Sequence, residues 1–140
     1  MNELKKASYY FENNDLEKAL DIVDMLIGSG SLFSDAYIKS LILRSQIMIK
    51  KGTDTKKSYE LVLEAETIAT VEDNISLIID SKLAIIENLE YQNNLSSVPD
   101  KIKEVEKLFP SLKDSENEQS KKILTFNKLK LKYSKLTGQN

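Results

Sequence analysis

Apolar residues recur at helical spacing on both sides of a short polar turn near the start of the chain. They are Leu4, Ala7, Tyr10 and Phe11 before the turn, and Leu16, Ala19, Leu20, Val23, Leu26 and Ile27 after it. The turn is Asn13-Asn14-Asp15, and Asp15 is placed to cap the second helix by accepting from its free N–H groups. So short a turn predicts two antiparallel helices. One such pair cannot bury both of its apolar faces, so further pairs are expected.

A third helix is predicted to begin at Ser34 or Asp35 and to run to Lys51, where Gly52 ends it. Its apolar positions cover most of its circumference, which is typical of a helix packed between neighbours. Gly28-Ser29-Gly30 is predicted to end the second helix, because glycine adopts the left-handed conformation at little cost.

The pattern of the second helix returns twice. Asp54 repeats the role of Asp15 at an offset of 39 residues. After Asp54, the residues at the offsets of Ala19, Leu20, Val23 and Leu26 are Ser58, Tyr59, Val62 and Ala65. The apolar residues return a second time at Ile102, Val105, Leu108 and Phe109, which correspond to Leu20, Val23, Leu26 and Ile27. Between these copies, Thr70-Val-Glu-Asp73 has the form of a capping box that opens a fifth helix over about 73–92.

Two more helices complete the prediction. Residues 97–100, with a proline in the first turn, open a sixth helix that Pro110 stops. Residues 115–118 form another capping box, and the last helix is expected to run to about Leu136. The alternation over 129–133 also fits a short strand, but the chain offers no second strand to pair with it, which favours a helix.

The expected fold is therefore all-α, with about seven helices in antiparallel hairpins. We expect a single domain over residues 1–140, with hairpins at about 1–30, 34–69 and 73–110 and a C-terminal capping helix at about 115–137.

Composition narrows the possible chemistry. The 140 residues are 41% hydrophobic and 30% charged, and they include neither cysteine nor histidine. Disulfides and thiolate metal sites are thereby excluded, and the commonest general base and metal ligand is missing. The first residues have no hydrophobic signal core, and no apolar run has the length of a membrane span. A cytoplasmic location and the absence of cofactor and metal are expected.

Charge is distributed unevenly along the chain. Residues 1–60 are neutral overall, residues 61–120 hold thirteen acidic and five basic side chains, and residues 121–140 hold six lysines and no acid. The basic segment fits either a terminal helix that complements the acidic segment or an amphipathic helix for an acidic partner, a membrane or nucleic acid. The first interpretation is favoured, because the chain as a whole is acidic, with a pI near 5.3.

Two short patterns and the turn between them resemble the tetratricopeptide repeat family in its longer-period form. They are Ala7-x-x-Tyr10 and Ala19-x-x-x-Val23, joined by Asn14-Asp15-Leu16-Glu17-Lys18. Several family positions differ in this chain. In the first hairpin, Glu3 and Lys6 occupy the tryptophan and leucine positions, and Ser31 occupies the position of the closing proline. Gln46 and Ser58 occupy the small positions of the second hairpin, and Lys101 occupies the alanine position of the third. The resemblance implies a right-handed superhelical stack of hairpins.

The resemblance also implies a concave groove, lined by the first helix of each hairpin, that receives a peptide or a helix. The residues expected to face it are Leu4, Ser8, Phe11 and Glu12 of the first hairpin, and Ser40, Leu43, Ile47, Lys50 and Lys51 of the second. The register of the second set is open by one residue. The alternative interpretation is that these residues form the ordinary core between hairpins.

A non-enzymatic protein–protein interaction or scaffold module is the function expected from these observations. Its partner would be another protein or peptide, with a second copy of the chain as a further possibility, and nucleic acid and membrane are disfavoured. The alternatives are a ligand- or peptide-sensing domain of a regulator and a self-associating structural protein. The carboxylate pairs at Glu64/Glu66, Glu72/Asp73 and Glu104/Glu106 are expected to be solvated surface and not catalytic groups.

Overall fold

The computed structural model of the protein describes residues 2–30, 34–113 and 116–134, except for the side chains of 116–118. Within these ranges the chain is all-α, as predicted, and contains no β-strand. The seven α-helices are α1 (Glu3–Glu12), α2 (Leu16–Ser29), α3 (Asp35–Lys51), α4 (Thr55–Val71), α5 (Ile75–Tyr91), α6 (Val98–Leu108) and α7 (Glu116–Ser134). Short 3₁₀ turns, Leu95–Ser97 and Phe109–Ser111, lie on either side of α6.

Each helix packs against the next one in the chain, so the order along the sequence is also the order in space. In addition, α3 contacts α1 and α5, the first helices of the neighbouring hairpins. The core has two parts, one formed by α1, α2 and α3 and a larger one formed by α3 to α7. Ile27 packs against both parts and joins them.

Four helices end in the same way, with one residue in the left-handed region. These residues are Asn14 (φ 62°), Gly52 (φ 72°), Asp73 (φ 53°) and Asn93 (φ 58°), which follow α1, α3, α4 and α5. In each case the N–H of this residue donates to the backbone carbonyl three residues back. The N–H of the next residue donates to the carbonyl five residues back, which completes the Schellman arrangement. Asparagine, aspartate and glycine are the residues that tolerate this backbone conformation best.

The predicted caps are partly confirmed. Asp15, Ser34 and Asp54 accept a hydrogen bond from the backbone N–H three residues ahead, at 3.4, 3.1 and 3.0 Å. The Ser115 capping box and the helix end near Leu136 lie outside the described residues.

At three helix ends the observed capping structure differs from the predicted one. Thr70 does not open α5; it lies inside α4, where its hydroxyl donates to the Glu66 carbonyl, and Asn74 caps α5 instead. The helix α6 begins directly after Ser97 with Pro99 in its first turn, as predicted, but Ser97 makes no side-chain capping bond because a 3₁₀ turn leads into the helix. The helix α2 ends at Ser29, within the predicted Gly28-Ser29-Gly30 segment, but Gly28 is still helical and Gly30 is extended (φ −81°) instead of left-handed.

A closed ring of buried hydrogen bonds ties α3, α4 and α5 together. The Asn88 amide donates to Ser45 Oγ at 2.9 Å, the Ser45 and Ser58 hydroxyls lie 2.8 Å apart, and Ser58 Oγ donates to Asn88 Oδ1 at 2.6 Å. The second amide proton of Asn88 goes to the Ala84 carbonyl at 2.9 Å. All three side chains are 0% exposed. One consistent set of proton positions satisfies every group in the ring, so its burial carries no unpaired polar atom.

Ser58→Ala is expected to lower the free energy of unfolding by about 2 kcal/mol, because it leaves the buried Asn88 oxygen without its donor. Ser81→Ala is the matched control. Ser81 is equally buried, but its hydroxyl donates only to the Leu77 carbonyl of its own helix, at 2.7 Å. Its replacement should cost less than about 1 kcal/mol. Urea denaturation of the two variants measures the difference, and equal losses would show that the ring adds nothing to stability.

Alanine substitutions at two glycines are expected to act in opposite directions. Gly52→Ala forces a side chain into the left-handed region and should destabilise the protein by about 1 kcal/mol. Gly28→Ala should stabilise it by up to about 1 kcal/mol, because Gly28 is helical and a Cβ there meets nothing within 4 Å. Thermal unfolding followed by circular dichroism tests both, and a destabilising Gly28→Ala would contradict the observed extent of α2.

Candidate functional site

A pocket of about 400 Å³ opens between α3, α5 and α7. It is lined by Lys39, Ile42 and Gln46 of α3, Ser76, Asp80, Leu83, Ala84 and Glu87 of α5, and Lys121, Lys122 and Thr125 of α7. The residues from α3 are spaced three, four and seven apart, and those from α5 follow the same spacing with Leu83 and Ala84 side by side, so each helix presents one face to the pocket. Its volume lies in the range of small-molecule and side-chain binding sites.

The floor of the pocket is apolar. Ile42, Leu83 and Ala84 form it, and they are 9%, 8% and 2% exposed. These residues also belong to the larger core cluster, so the floor is the outer surface of the packed interior and is held rigidly. An apolar group placed on it would be removed from water without any rearrangement of the core.

Charged side chains surround this floor. Lys122 of α7 pairs with Asp80 of α5 at 3.3 Å and closes one side of the pocket. Lys39 and Lys121 also line it, and neither forms an ion pair with another residue in the described part of the chain. The rim therefore offers two unpaired ammonium groups next to one paired with a carboxylate.

Glu87 is the carboxylate on α5 two turns beyond Asp80. Its Oε1 accepts a hydrogen bond from Gln46 Nε2 of α3 at 3.3 Å. The side chain is exposed at the pocket mouth, but the surrounding walls desolvate the carboxylate and raise its pKa. The hydrogen bond from Gln46 lowers the pKa, and the nearby Glu90 carboxylate raises it. This carboxyl group takes up a proton more readily than one in open water.

The third wall of the pocket is α7, which packs on α6. Phe126 and Tyr133 are buried, at 5% and 2% exposed, and Leu129 packs between them. The Phe126 ring lies against Phe109 with ring centroids 5.1 Å apart. These contacts place the last helix over the end of the third hairpin.

Ion pairs also hold α7 on the acidic segment. Lys132 pairs with Glu90 of α5 at 2.6 Å, and Lys130 pairs with Glu106 of α6. The Tyr133 hydroxyl donates to the same Glu90 carboxylate at 2.7 Å. Desolvation and this hydrogen bond raise the pKa of Tyr133 well above its ordinary value, so the phenol remains a donor. Lysines of the basic end of the sequence thus pair with carboxylates of the acidic segment in the folded protein.

Two of the three carboxylate pairs noted in the sequence, Glu64/Glu66 and Glu104/Glu106, take part in contacts between helices, whereas Glu72 and Asp73 are exposed. Lys82 of α5 bridges Glu66 of α4 and Glu104 of α6 at 2.8 and 2.7 Å. Glu64 accepts from the Tyr37 hydroxyl at 2.8 Å. These partners give the carboxylates a role in packing one helix against the next.

The predicted groove residues of the first hairpin lie away from the pocket. Leu4 and Phe11 are half-buried against the smaller core cluster, Ser8 is half-buried and Glu12 is exposed. The ammonium of Lys50, also predicted for the groove, lies 4.8 Å from the centre of the Phe11 ring. The structure thus brings part of the two predicted sets together, on the face shared by α1 and α3.

In the second hairpin, the pocket residues differ from the predicted ones by a single position. Ser40, Leu43 and Ile47 are 0%, 6% and 0% exposed and are out of reach of a surface partner, while Lys51 pairs with Glu17 of α2. The residues that face the pocket are the ones immediately before them, Lys39, Ile42 and Gln46. One residue turns the side chain by about 100° around the helix, which here separates open groove from inter-hairpin core.

The sequence carries a signal for the side of α3 that faces the pocket. Along the mostly apolar α3, Lys39, Gln46 and Lys50 are polar and fall at i, i+7 and i+11, which marks one solvent-facing stripe. The residues contributed by α5 and α7 could not be found in this way, because no local pattern shows that these two helices meet α3.

Comparison with protein-family models, characterised proteins and solved structures finds no match for this chain. Within residues 2–30, 34–113 and 116–134 there is no group of three or more acidic side chains placed to hold a metal ion. No helix in the described ranges is both long and apolar enough to cross a membrane.

Glu87→Gln tests the electrostatics of the pocket through pH. Because the folded-state pKa of Glu87 is raised, the stability it contributes is fully present below the unfolded value of 4.5 and is lost as pH rises through the folded-state pKa. The neutral glutamine keeps the shape and the bond to Gln46. It is therefore expected to raise Tm relative to the wild type at about pH 7, and to leave it unchanged near pH 4.

Thermal unfolding across this pH range measures the effect. Glu60→Gln, on the exposed face of α4, is the control for the loss of one negative charge. A gain that is independent of pH, or equal in the two variants, would show that the pocket does not perturb Glu87.

Proposed function

We propose that this chain is a non-enzymatic protein-interaction module, and that the pocket between α3, α5 and α7 receives a side chain of a bound peptide or helix. The observation that carries the proposal is the combination of a buried apolar floor with a rim that holds two lysines without an ion pair in the described part of the chain. Binding sites commonly combine an apolar surface, which supplies affinity, with a few polar groups that fix orientation.

The packing of the helices supports this proposal. Because α1, α3 and α5 follow one another on the same side of the hairpins, they form a continuous surface on which an extended ligand can lie. One apolar ligand side chain buried on Ile42, Leu83 and Ala84 would contribute roughly 1.5–3 kcal/mol. Acidic groups of the ligand would meet Lys39 and Lys121.

Thr125→Trp is designed to fill the pocket. Thr125 lines the pocket but is exposed on α7, so a larger side chain can occupy the cavity without disturbing the core. Thr67→Trp, on the exposed face of α4, adds the same bulk away from the pocket. Peptides are first selected from a random library displayed on phage against the wild-type chain, and are then synthesised with a fluorescent label.

The selected peptides are expected to share an apolar residue. Their affinity, measured by fluorescence anisotropy, should fall at least tenfold for Thr125→Trp and stay within about twofold for Thr67→Trp. Failure to enrich any peptide, or equal binding by the two variants, would contradict the proposed site.

A further inference from the structure

The outward side of α7 carries four residues in one stripe, Lys121, Leu124, Lys128 and Leu131, which we call the outer face of α7. They fall at i, i+3, i+7 and i+10, so they line up along the helix. Leu124 is 56% exposed and Leu131 is 75% exposed, which makes Leu131 the most exposed of the large apolar side chains in the described ranges. Two leucines two turns apart, alternating with two lysines, form an amphipathic surface.

The lysines of α7 divide into two sets according to their partners. Lys122, Lys130 and Lys132 are all in ion pairs with carboxylates of α5 and α6. Lys121 and Lys128, on the outer face, form no ion pair with any residue of the described part of the chain. Three charges of α7 are thus neutralised within the fold, and those of Lys121 and Lys128, which have no ionic partner among the described residues, remain available to another molecule.

The position of α7 in the stack explains why this face is open. Each of α2 to α6 packs between the helix before it and the helix after it, whereas α7 packs on α6 through Phe126, Leu129 and Tyr133. Its opposite side faces no other helix of the described ranges. A helix laid along this side would continue the same side-by-side packing that holds the rest of the molecule together.

We propose that the outer face of α7 binds an acidic amphipathic helix of a partner protein. Leucines seven residues apart are about 10.5 Å apart along a helix, and they match apolar residues two turns apart on the partner. Acidic residues beside that apolar stripe pair with Lys121 and Lys128. A helix is favoured over an anionic membrane as the occupant, because side-by-side helix packing already joins each described helix to the next one in the chain.

This surface is separate from the pocket between α3, α5 and α7 and does not depend on the function proposed for it. Lys121 is the one residue that the two share. The test therefore uses Lys128 and Leu131, which do not line the pocket.

The probe is a fluorescently labelled synthetic peptide of about 18 residues, roughly 27 Å long as a helix. It carries a leucine stripe at i, i+3, i+4 and i+7 with glutamates on both sides. A second peptide has every glutamate replaced by lysine. Binding to the full chain is measured by fluorescence anisotropy at low and at physiological salt.

The acidic peptide is expected to bind saturably, more weakly as salt rises, and at least tenfold more tightly than the basic one. The double variant Lys128→Glu/Leu131→Glu should weaken this binding at least tenfold. The control Lys56→Glu/Val71→Glu makes the same change in charge, and also replaces one lysine and one exposed apolar residue, on α4, and should bind like the wild type. Thr125→Trp, which fills the pocket, should also leave it unchanged, so that the two proposals fail separately.

Three outcomes overturn the inference: no saturable binding, equal affinity for the two peptides, or equal loss in the two double variants. The same variants are tested for sedimentation with vesicles of phosphatidylserine and phosphatidylcholine. Vesicle binding that Lys128→Glu/Leu131→Glu abolishes, without binding of the acidic peptide, would assign the face to a membrane and overturn the proposal. The substituted residues are exposed, and a circular dichroism spectrum like that of the wild type establishes that each variant is folded.

Discussion

The hydrogen-bonded ring of Ser45, Ser58 and Asn88 is the constraint on which the central part of the structure depends. Each side chain comes from a different helix, and each donates to and accepts from the others in the absence of water. A shift of α3, α4 or α5 by one residue would leave these buried groups unpaired, so the ring fixes the register of the three helices. Apolar side chains, which pack without direction, would tolerate such a shift more easily.

The pocket inherits its geometry from this ring. Ser45 and Asn88 are neighbours in sequence of Gln46 and Glu87, whose side chains meet at 3.3 Å on the pocket side of the same two helices. An inner and an outer hydrogen bond thus join α3 to α5 at one level. The third wall comes from α7, which is held by the aromatic packing of Phe126 and by ion pairs with carboxylates of α5 and α6. Buried polar contacts set two walls, and charge complementarity helps to place the third.

The local features of the fold could be predicted from the sequence more accurately than the candidate site. Helix positions follow from apolar spacing, and the Asp15 and Asp54 caps follow from residue type. The Asp73-Asn74-Ile75 turn repeats the Asn14-Asp15-Leu16 turn, with a left-handed residue followed by the residue that caps the next helix. The capping-box pattern at Thr70 also predicts the start of α5, and this second signal hides the first. For the site, the groove residues predicted in the second hairpin and part of the pocket lining both lie on α3. The residues assigned to it were one position away from those that line the pocket, because most of the helix is apolar and apolar spacing alone does not show which side is open.

The sequence by itself determined the all-α class, the seven helices, their hairpin order and the charge difference between the acidic segment and the basic end, because each depends on residues close together in the chain. Tertiary structure alone decided which serines are buried with Asn88, which lysines pair with carboxylates and which remain unpaired, and where α3, α5 and α7 meet. These features depend on rotations of about 100° per residue and on contacts between residues some 40 positions apart. Such contacts are set by how whole helices pack against one another, which no local pattern records.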